Sequence, residues 1–401
     1  MDAVISCMHN LALLLVCQAV TTLGLMVFVP IMPLYIATLT QVDAEDVAHW
    51  SSLALAAPAV GTLCLAPYAG KWCDRFGYRR MLLVSLIVFI ASIMLMALSS
   101  SMHGFMLGRL LQGISTIGVV LTAYIGYVSE DISRGRSLGL QESAIACGAL
   151  AGPILGGIML DHWSLKPLLI TSAVLTAVAG GLLWSQLTEP RKEIPLSDLS
   201  FSGLRTVLGH SNLRNWMLAA FLIQAAAFAF VNVFPLYLTA RFPAAEAMAS
   251  KIGLLHALGW LATMLVSPLW GRLNDRGEPR RYFTFAALGC ALSIGLLIVT
   301  DQIWLVALLR IGQGACYAAL MQSVLLACSR QLPIAAYGHV TGLSRSFMVA
   351  GQLLGPLLIM LLLPILSPVS LIWPIAILFF TSGLLVFSDR TVSFSLAELK
   401  K

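Results

Sequence analysis

Two stretches of this chain, 201 positions apart, carry a glycine, an Asp-Arg pair and an Arg-Arg pair at the same spacing. The first reads Gly70-Lys71-Trp72-Cys73-Asp74-Arg75-Phe76-Gly77-Tyr78-Arg79-Arg80 and the second Gly271-Arg272-Leu273-Asn274-Asp275-Arg276-Gly277-Glu278-Pro279-Arg280-Arg281. Arg109-Leu110-Leu111-Gln112-Gly113 returns at the same offset as Arg310-Ile311-Gly312-Gln313-Gly314, and Gly148…Gly152-Pro153 returns as Gly351…Gly355-Pro356 at an offset of 203. Elements repeated in one order at one spacing mean that the chain is two copies of one ancestral half. A fold built this way is pseudo-symmetric, and its functional centre is expected where the halves meet.

The halves are apolar. Hydrophobic residues make up 59% of the chain and charged residues 10%, against about 25% charged in a soluble domain. Stretches long enough to cross a bilayer, roughly 20 residues, recur near 11–39, 49–70, 81–101, 104–129, 137–160, 167–187, 215–240, 250–270, 282–300, 303–328, 336–364 and 369–388. The first lacks a basic flank and runs on through Pro30 and Pro33 to Leu39, so it reads as span one and not as a cleaved leader.

The formal charge of +6 is topological. Alternating the spans from a cytoplasmic N-terminus gathers Lys71, Arg75, Arg79, Arg80, Arg134, Arg136, Arg191, Lys192, Arg272, Arg276, Arg280, Arg281 and Arg330 on the inside, and leaves Lys166, Arg241 and Lys251 outside. That bias places both termini in the cytoplasm and offers no patch for nucleic acid. The eight cysteines show no paired spacing and read as small buried hydrophobes. Neither a metal site nor a disulfide framework is expected.

Residues 1–189 form the expected first half, 190–213 a cytoplasmic linker and 214–401 the second half. Within the linker, Phe201, Leu204 and Leu208 fall on one helical face, which suits either a short interfacial helix or a solvated connector. The chain has no Gly-x-x-x-x-Gly-Lys-Ser/Thr loop, so ATP is not expected to drive it directly, and no cofactor is expected. An ion gradient remains as the energy source.

The stretch Gly70-x-x-x-Asp74-Arg75-x-Gly77-x-Arg79-Arg80 lies between the second and third spans. Gly70 allows close helix approach, Gly77 permits the turn, and Asp74 suits the exposed amides of a facing helix N-terminus. The arginines suit lipid head groups or Glu130 and Asp131, so Gly70, Asp74, Arg75, Gly77, Arg80, Glu130, Asp131, Asp275 and Arg276 form a candidate conformational latch. In the second copy Glu278 and Pro279 depart from the pattern, and a weaker latch is expected there. Motif, repeat and span count together resemble the major facilitator superfamily. That resemblance implies an all-α integral membrane protein with twelve transmembrane helices in two pseudo-symmetric six-helix bundles, rocking about a central cavity.

Further motifs sharpen the resemblance. Arg109-x-x-Gln112-Gly113 in span four resembles the motif of proton-driven members. An intramembrane arginine costs about 2.5–3.5 kcal/mol on insertion scales, so Arg109 and its copy Arg310 are expected to face a partner or a wet cavity. Gly148-x-x-x-Gly152-Pro153-x-x-Gly156-Gly157 in span five looks like the antiporter motif of the drug-efflux branch. Its small residues favour close helix packing.

Candidate substrate contacts are Gln18, Arg109, Gln112, Tyr124, Gln224, Asn232, Trp260, Arg310, Gln313 and Tyr317, and candidate proton-coupling groups are Arg109, Glu142 and His256. Glu142 and Arg345 stand 203 apart and suit an ion pair between the halves. Spans one and seven carry no acid, so an anion or a neutral polar molecule is expected over a cation. The resemblance implies a monomeric proton-coupled exporter in a bacterial inner membrane, with protons and a small organic molecule as partners. The cargo is a siderophore-like carboxylate or a drug-like hydrophobe. An uptake symporter for an organic anion and a non-transporting sensor are the rival readings. No nucleophile–base pair can be assembled, so an enzyme is not expected.

Overall fold

The computed structural model describes residues 2–27, 32, 35–36, 44–129, 133–162, 165–186, 211–243, 248–331 and 337–388. The linker and the latch candidates Glu130 and Asp131 lie outside them. Thirteen α-helices occur among the described residues: α1 (Asp2–Met26), α2 (Ala44–Phe76), α3 (Tyr78–Leu98), α4 (Met102–Ile114), α5 (Ile117–Val128), α6 (Arg134–His162), α7 (Leu165–Gln186), α8 (Ser211–Arg241), α9 (Met248–Arg276), α10 (Pro279–Gly295), α11 (Ile303–Arg330), α12 (Tyr337–Leu362) and α13 (Ile372–Phe387). A chain this apolar must satisfy its backbone within each segment, and helices do that. Ten helical stretches are long and apolar enough to cross a membrane, with α4 and α5 together supplying one of them, Met102–Val128. Two shorter apolar helices, Asn10–Met26 and Ile372–Phe387, flank the set.

Buried apolar side chains gather into two main clusters. One runs from Leu14 to Leu183 and includes Phe89, Phe105 and Tyr124. The other runs from Leu213 to Val386, with Leu138 joining it from α6, and includes Phe234, Phe283 and Phe379. Outward faces stay apolar as well: Ile87, Leu265, Phe285 and Leu361 are all exposed, as expected for helices whose solvent is lipid.

The repeat is legible atom by atom. Gly148 and Gly152 face α1, where an added Cβ would sit 2.6 Å from the Ala19 carbonyl oxygen and 3.0 Å from that of Leu23. Gly351 and Gly355 face α8 in the same way, against the Phe221 and Ala225 carbonyls at 2.2 and 2.3 Å. The glycine motif therefore fastens α6 to α1 and α12 to α8, each within its own half. A second matched pair sits at the helix ends. Arg79 donates to the Trp184 carbonyl at the end of α7 and lies 4.4 Å from its ring centroid. Arg280 does the same to Phe387 at the end of α13, with a ring distance of 5.7 Å. Each cation faces the negative end of a helix dipole.

Between the halves, the contacts lie at the end of the helices that carries the two Asp-Arg turns. There α6 meets α9: a Cβ at Gly135 would lie 2.7 Å from the Gly271 carbonyl, and one at Gly139 would lie 2.6 Å from that of Ser267. Two turns along, Ser143 donates to the Met264 carbonyl at 2.6 Å. The mirrored contact joins α12 to α2, where a Cβ at Gly342 would lie 2.3 Å from the Ala66 carbonyl and 3.3 Å from the Gly70 Cα. No side chain larger than hydrogen fits between backbones this close. Gly271→Val is expected to part α6 from α9 at this end. A cysteine at Ser143, in an otherwise cysteine-free chain, should then react with a water-soluble maleimide several-fold faster. Unchanged labelling would show that this packing does not close the end.

Candidate functional site

Asp275 sits at the end of α9 and points at the start of α6. Its carboxylate accepts from the Gly135 and Arg136 amides at 2.6 and 2.8 Å. The first amides of a helix have no internal partner and carry the positive end of its dipole, so this is a charge-assisted cap between the halves. The departure at Glu278 and Pro279 thus leaves both amide bonds of the Asp275 cap in place. Arg330 fastens the same corner by donating to the Asn274 carbonyl at 3.1 Å.

In the first copy, Asp74 is buried and accepts from the Tyr78 hydroxyl at 2.5 Å. Gly77 holds φ at 96°, a backbone conformation that glycine adopts without strain. Arg75, Arg80 and Arg276 are exposed and turned to the surroundings. The sequence pattern did not single out Arg79, Arg280 or Arg330 for the contacts they make, because identical residues differ here only in the direction their helix gives them.

Arg109 and Arg310 occupy matched places near the opposite end. Each is almost fully buried, 3% and 4% exposed. Arg109 donates to the Ala54 carbonyl at 3.0 Å and to the Gln112 side-chain oxygen at 2.6 Å. Arg310 repeats both bonds at the same offset, to the Leu255 carbonyl at 3.2 Å and to Gln313 at 2.5 Å. Beside them Thr62 donates to the Gly113 carbonyl and Thr263 to that of Gly314.

Arg109, Gln112, Arg310 and Gln313 therefore tie neighbouring helices inside one half instead of forming the expected substrate wall. In both copies a backbone carbonyl and an amide oxygen accept from the guanidinium. His256 belongs to this cluster, its Nδ1 3.5 Å from Arg310, and Phe230 and Phe234 stack over the same cation at 5.0 Å. Tyr124 is also corrected: it is fully buried in the first-half core, stacked 5.7 Å from Tyr78.

Of the expected contacts, Gln18 joins a polar network in the first half, and Gln224, Tyr317 and Trp260 gather in the second. Gln141 of α6 donates to Gln18 of α1 at 3.1 Å and to Thr122 of α5 at 2.7 Å, and Gln18 donates to Thr22. In the second half Gln224 of α8 donates to the Tyr317 hydroxyl at 3.4 Å and accepts from Gln352 of α12 at 3.2 Å. Trp260 stands edge-on to Tyr317, 6.5 Å between centroids. Glu142 of α6 and Arg345 of α12, both half-buried, interact electrostatically with each other and with Tyr317. No hydrogen bond or direct ion pair reaches either side chain among the described residues. Asn232 is exposed and bonds its own helix at Phe228.

Gln141, Thr122 and Gln352 were not singled out from the sequence, where isolated polar residues in spans carry no signal of direction. Among the described residues no cluster of His, Cys, Asp and Glu could hold a metal ion.

Removing the Arg109 clamp should register as stability. Arg109→Ala is expected to lower the unfolding free energy by about 2–3 kcal/mol, the scale of hydrogen bonds to a charged group, read by denaturant unfolding in detergent. Full stability in that variant would return Arg109 to a cavity role.

The sequence profile of the Major Facilitator Superfamily matches residues 14–249 and 217–393. The chain is 32% identical over 371 residues to the "Staphyloferrin B transporter" of Staphylococcus aureus, covering 87% of this chain and 85% of that protein. It is 26% identical over 338 residues to "Multidrug resistance protein MdtG" of Salmonella choleraesuis, covering 82% of each. In fold it is similar to the human organic anion transporter MFSD10 (TETRAN), with a TM-score of 0.81 at 17% identity over 94% of this chain and 98% of that one. With its repeat, apolar helices and near-complete profile match, the chain belongs to the major facilitator superfamily, a family of multi-pass membrane transporters and not of enzymes.

Proposed function

We propose that this protein is a proton-coupled antiporter that exports an anionic or zwitterionic small organic molecule across a bacterial inner membrane by alternating access. The observation that carries the reading is the geometry of the junction. The halves meet at the end bearing the Asp-Arg turns, and further along Glu142 of one half interacts electrostatically with Arg345 and Tyr317 of the other. Closure at one end with a polar middle is what one state of an alternating-access carrier requires.

In this reading the chain has twelve spans in two bundles, residues 1–189 and 214–401 joined by a linker at 190–213, and works as a monomer. The arginine-rich turns face the cytoplasm by the positive-inside distribution, so both termini are cytoplasmic. The Asp275 cap, and by the half repeat a corresponding cap of Asp74 on the start of α12, hold the cytoplasmic end shut. Opening it means parting backbones now in contact. Arg109 and Arg310 keep the helices of each half together as it rocks.

Gln18, Gln224, Tyr317 and Trp260 contact the cargo, and Glu142 carries the proton, with His256 as second candidate. Similarity to a siderophore transporter and to a multidrug resistance protein supports cargo of metabolite or drug size.

Inside-out vesicles energised to an acid interior test the reading, with staphyloferrin B and cationic dyes added in turn while lumenal pH is followed. Proton release on adding the siderophore is expected, reduced severalfold more by Glu142→Gln than by His256→Ala. Co-uptake of protons with the siderophore would instead establish a symporter.

A further inference from the structure

Relocating Arg109 and Arg310 changes the charge of the cavity. Counting every arginine in the spans predicts a positive cavity, but both of these guanidiniums are buried and bonded within their own halves. Among the described residues, a cation and an anion interact across the junction, Arg345 on α12 and Glu142 on α6. Both lie eight residues into helices that start at the closed end, roughly 12 Å deep at 1.5 Å per residue.

The pair is not closed. Glu142 and Arg345 interact electrostatically but form no direct ion pair, and neither accepts or donates a hydrogen bond among the described residues. Two such charges inside a membrane protein are expensive unless something satisfies them. Tyr317, hydrogen-bonded to Gln224, stands in the same field.

The fourth apolar stretch also departs from the repeat here. It breaks between α4 and α5 at Thr116, held at φ 49° in the left-handed region, whereas α11 runs unbroken through the equivalent Tyr317. The break brings Gly118, at the start of α5, to face Arg345: a Cβ there would lie 4.0 Å from the guanidinium nitrogen, with nothing else that near. The cation thus stands opposite Gly118 of the other half, with room for about a methyl group between them.

We propose that the cavity selects a zwitterion, a small molecule whose carboxylate pairs with Arg345 and whose ammonium pairs with Glu142, one contact from each half. An anion alone would satisfy Arg345 and be repelled by Glu142, and a cation alone would suffer the reverse. The proposal rests on the export reading and narrows its substrate class. It also suits exchange, because the ammonium and a proton cannot both occupy the Glu142 carboxylate, whose charged neighbour is Arg345.

The test uses one fluorescent skeleton in three charge forms on the full chain in lipid nanodiscs with no gradient: zwitterionic norfloxacin, its N-acetyl derivative with the carboxylate alone, and its ethyl ester with the ammonium alone. Wild-type protein is expected to bind norfloxacin at least about tenfold more tightly than either, the scale of one charge-assisted hydrogen bond. Glu142→Gln should erase the advantage over the N-acetyl form only, and Arg345→Gln the advantage over the ester only. Equal binding of norfloxacin and a singly charged form by the wild type, or no binding of norfloxacin, overturns the proposal. Binding needs no gradient, so discrimination without proton release in vesicles would keep the zwitterion site and remove only the antiport reading. Proton release without discrimination would do the reverse.

Discussion

Backbone meets backbone where α6 crosses α9 at Gly135 and Gly271, and the closed end depends on that approach. Glycine allows the contact but gives it no direction. Direction comes from Asp275, which accepts two amides at the start of α6 and so fixes which turn of one helix faces which turn of the other. The interaction is strong because both partners are otherwise unsatisfied, a carboxylate and a helix N-terminus. It is also discrete: separation by a few ångströms loses it entirely, as a carrier moving between two states needs.

Much of this was legible in the sequence. The offsets of 201 and 203 pair Gly70 with Gly271 and Arg109 with Arg310, and the same offsets pair Gly139 with Gly342, which the structure shows in equivalent contacts. A search for single glycines repeated at those spacings would have found the junction. The direction of side chains was not legible. Arg109 and Arg345 are both arginines in apolar helices, yet one is consumed by the Ala54 carbonyl and Gln112 while the other faces the opposite half. That difference depends on which neighbouring helix comes within reach, and no single segment encodes it. The helix break at Thr116 was missed although Ser115 and Thr116 interrupt the apolar run between Gly113 and Gly118, because a polar pair in a span marks a break no more than it marks a contact.

The two halves therefore share a frame and differ in the middle. Matched clamps at Arg109 and Arg310, matched staples at Arg79 and Arg280, and matched glycine contacts make each half stiff. Among the positions that differ are Thr116 against Tyr317 and Glu142 against Arg345, and Glu142, Arg345 and Tyr317 interact across the halves. Symmetry serves the motion and its violation serves recognition. A cavity of opposite charges also costs less to carry empty than one of like charges, because each charge partly offsets the other.

The central claim is that the closed end opens. Spin labels at Arg136 and Arg272, both exposed beside the Asp275 cap, would report it as a distance distribution by pulsed electron paramagnetic resonance in nanodiscs. The account predicts a short population and a longer one, with Asp275→Asn moving weight to the longer. A single short distance, unchanged by Asp275→Asn and by acidification, would contradict it.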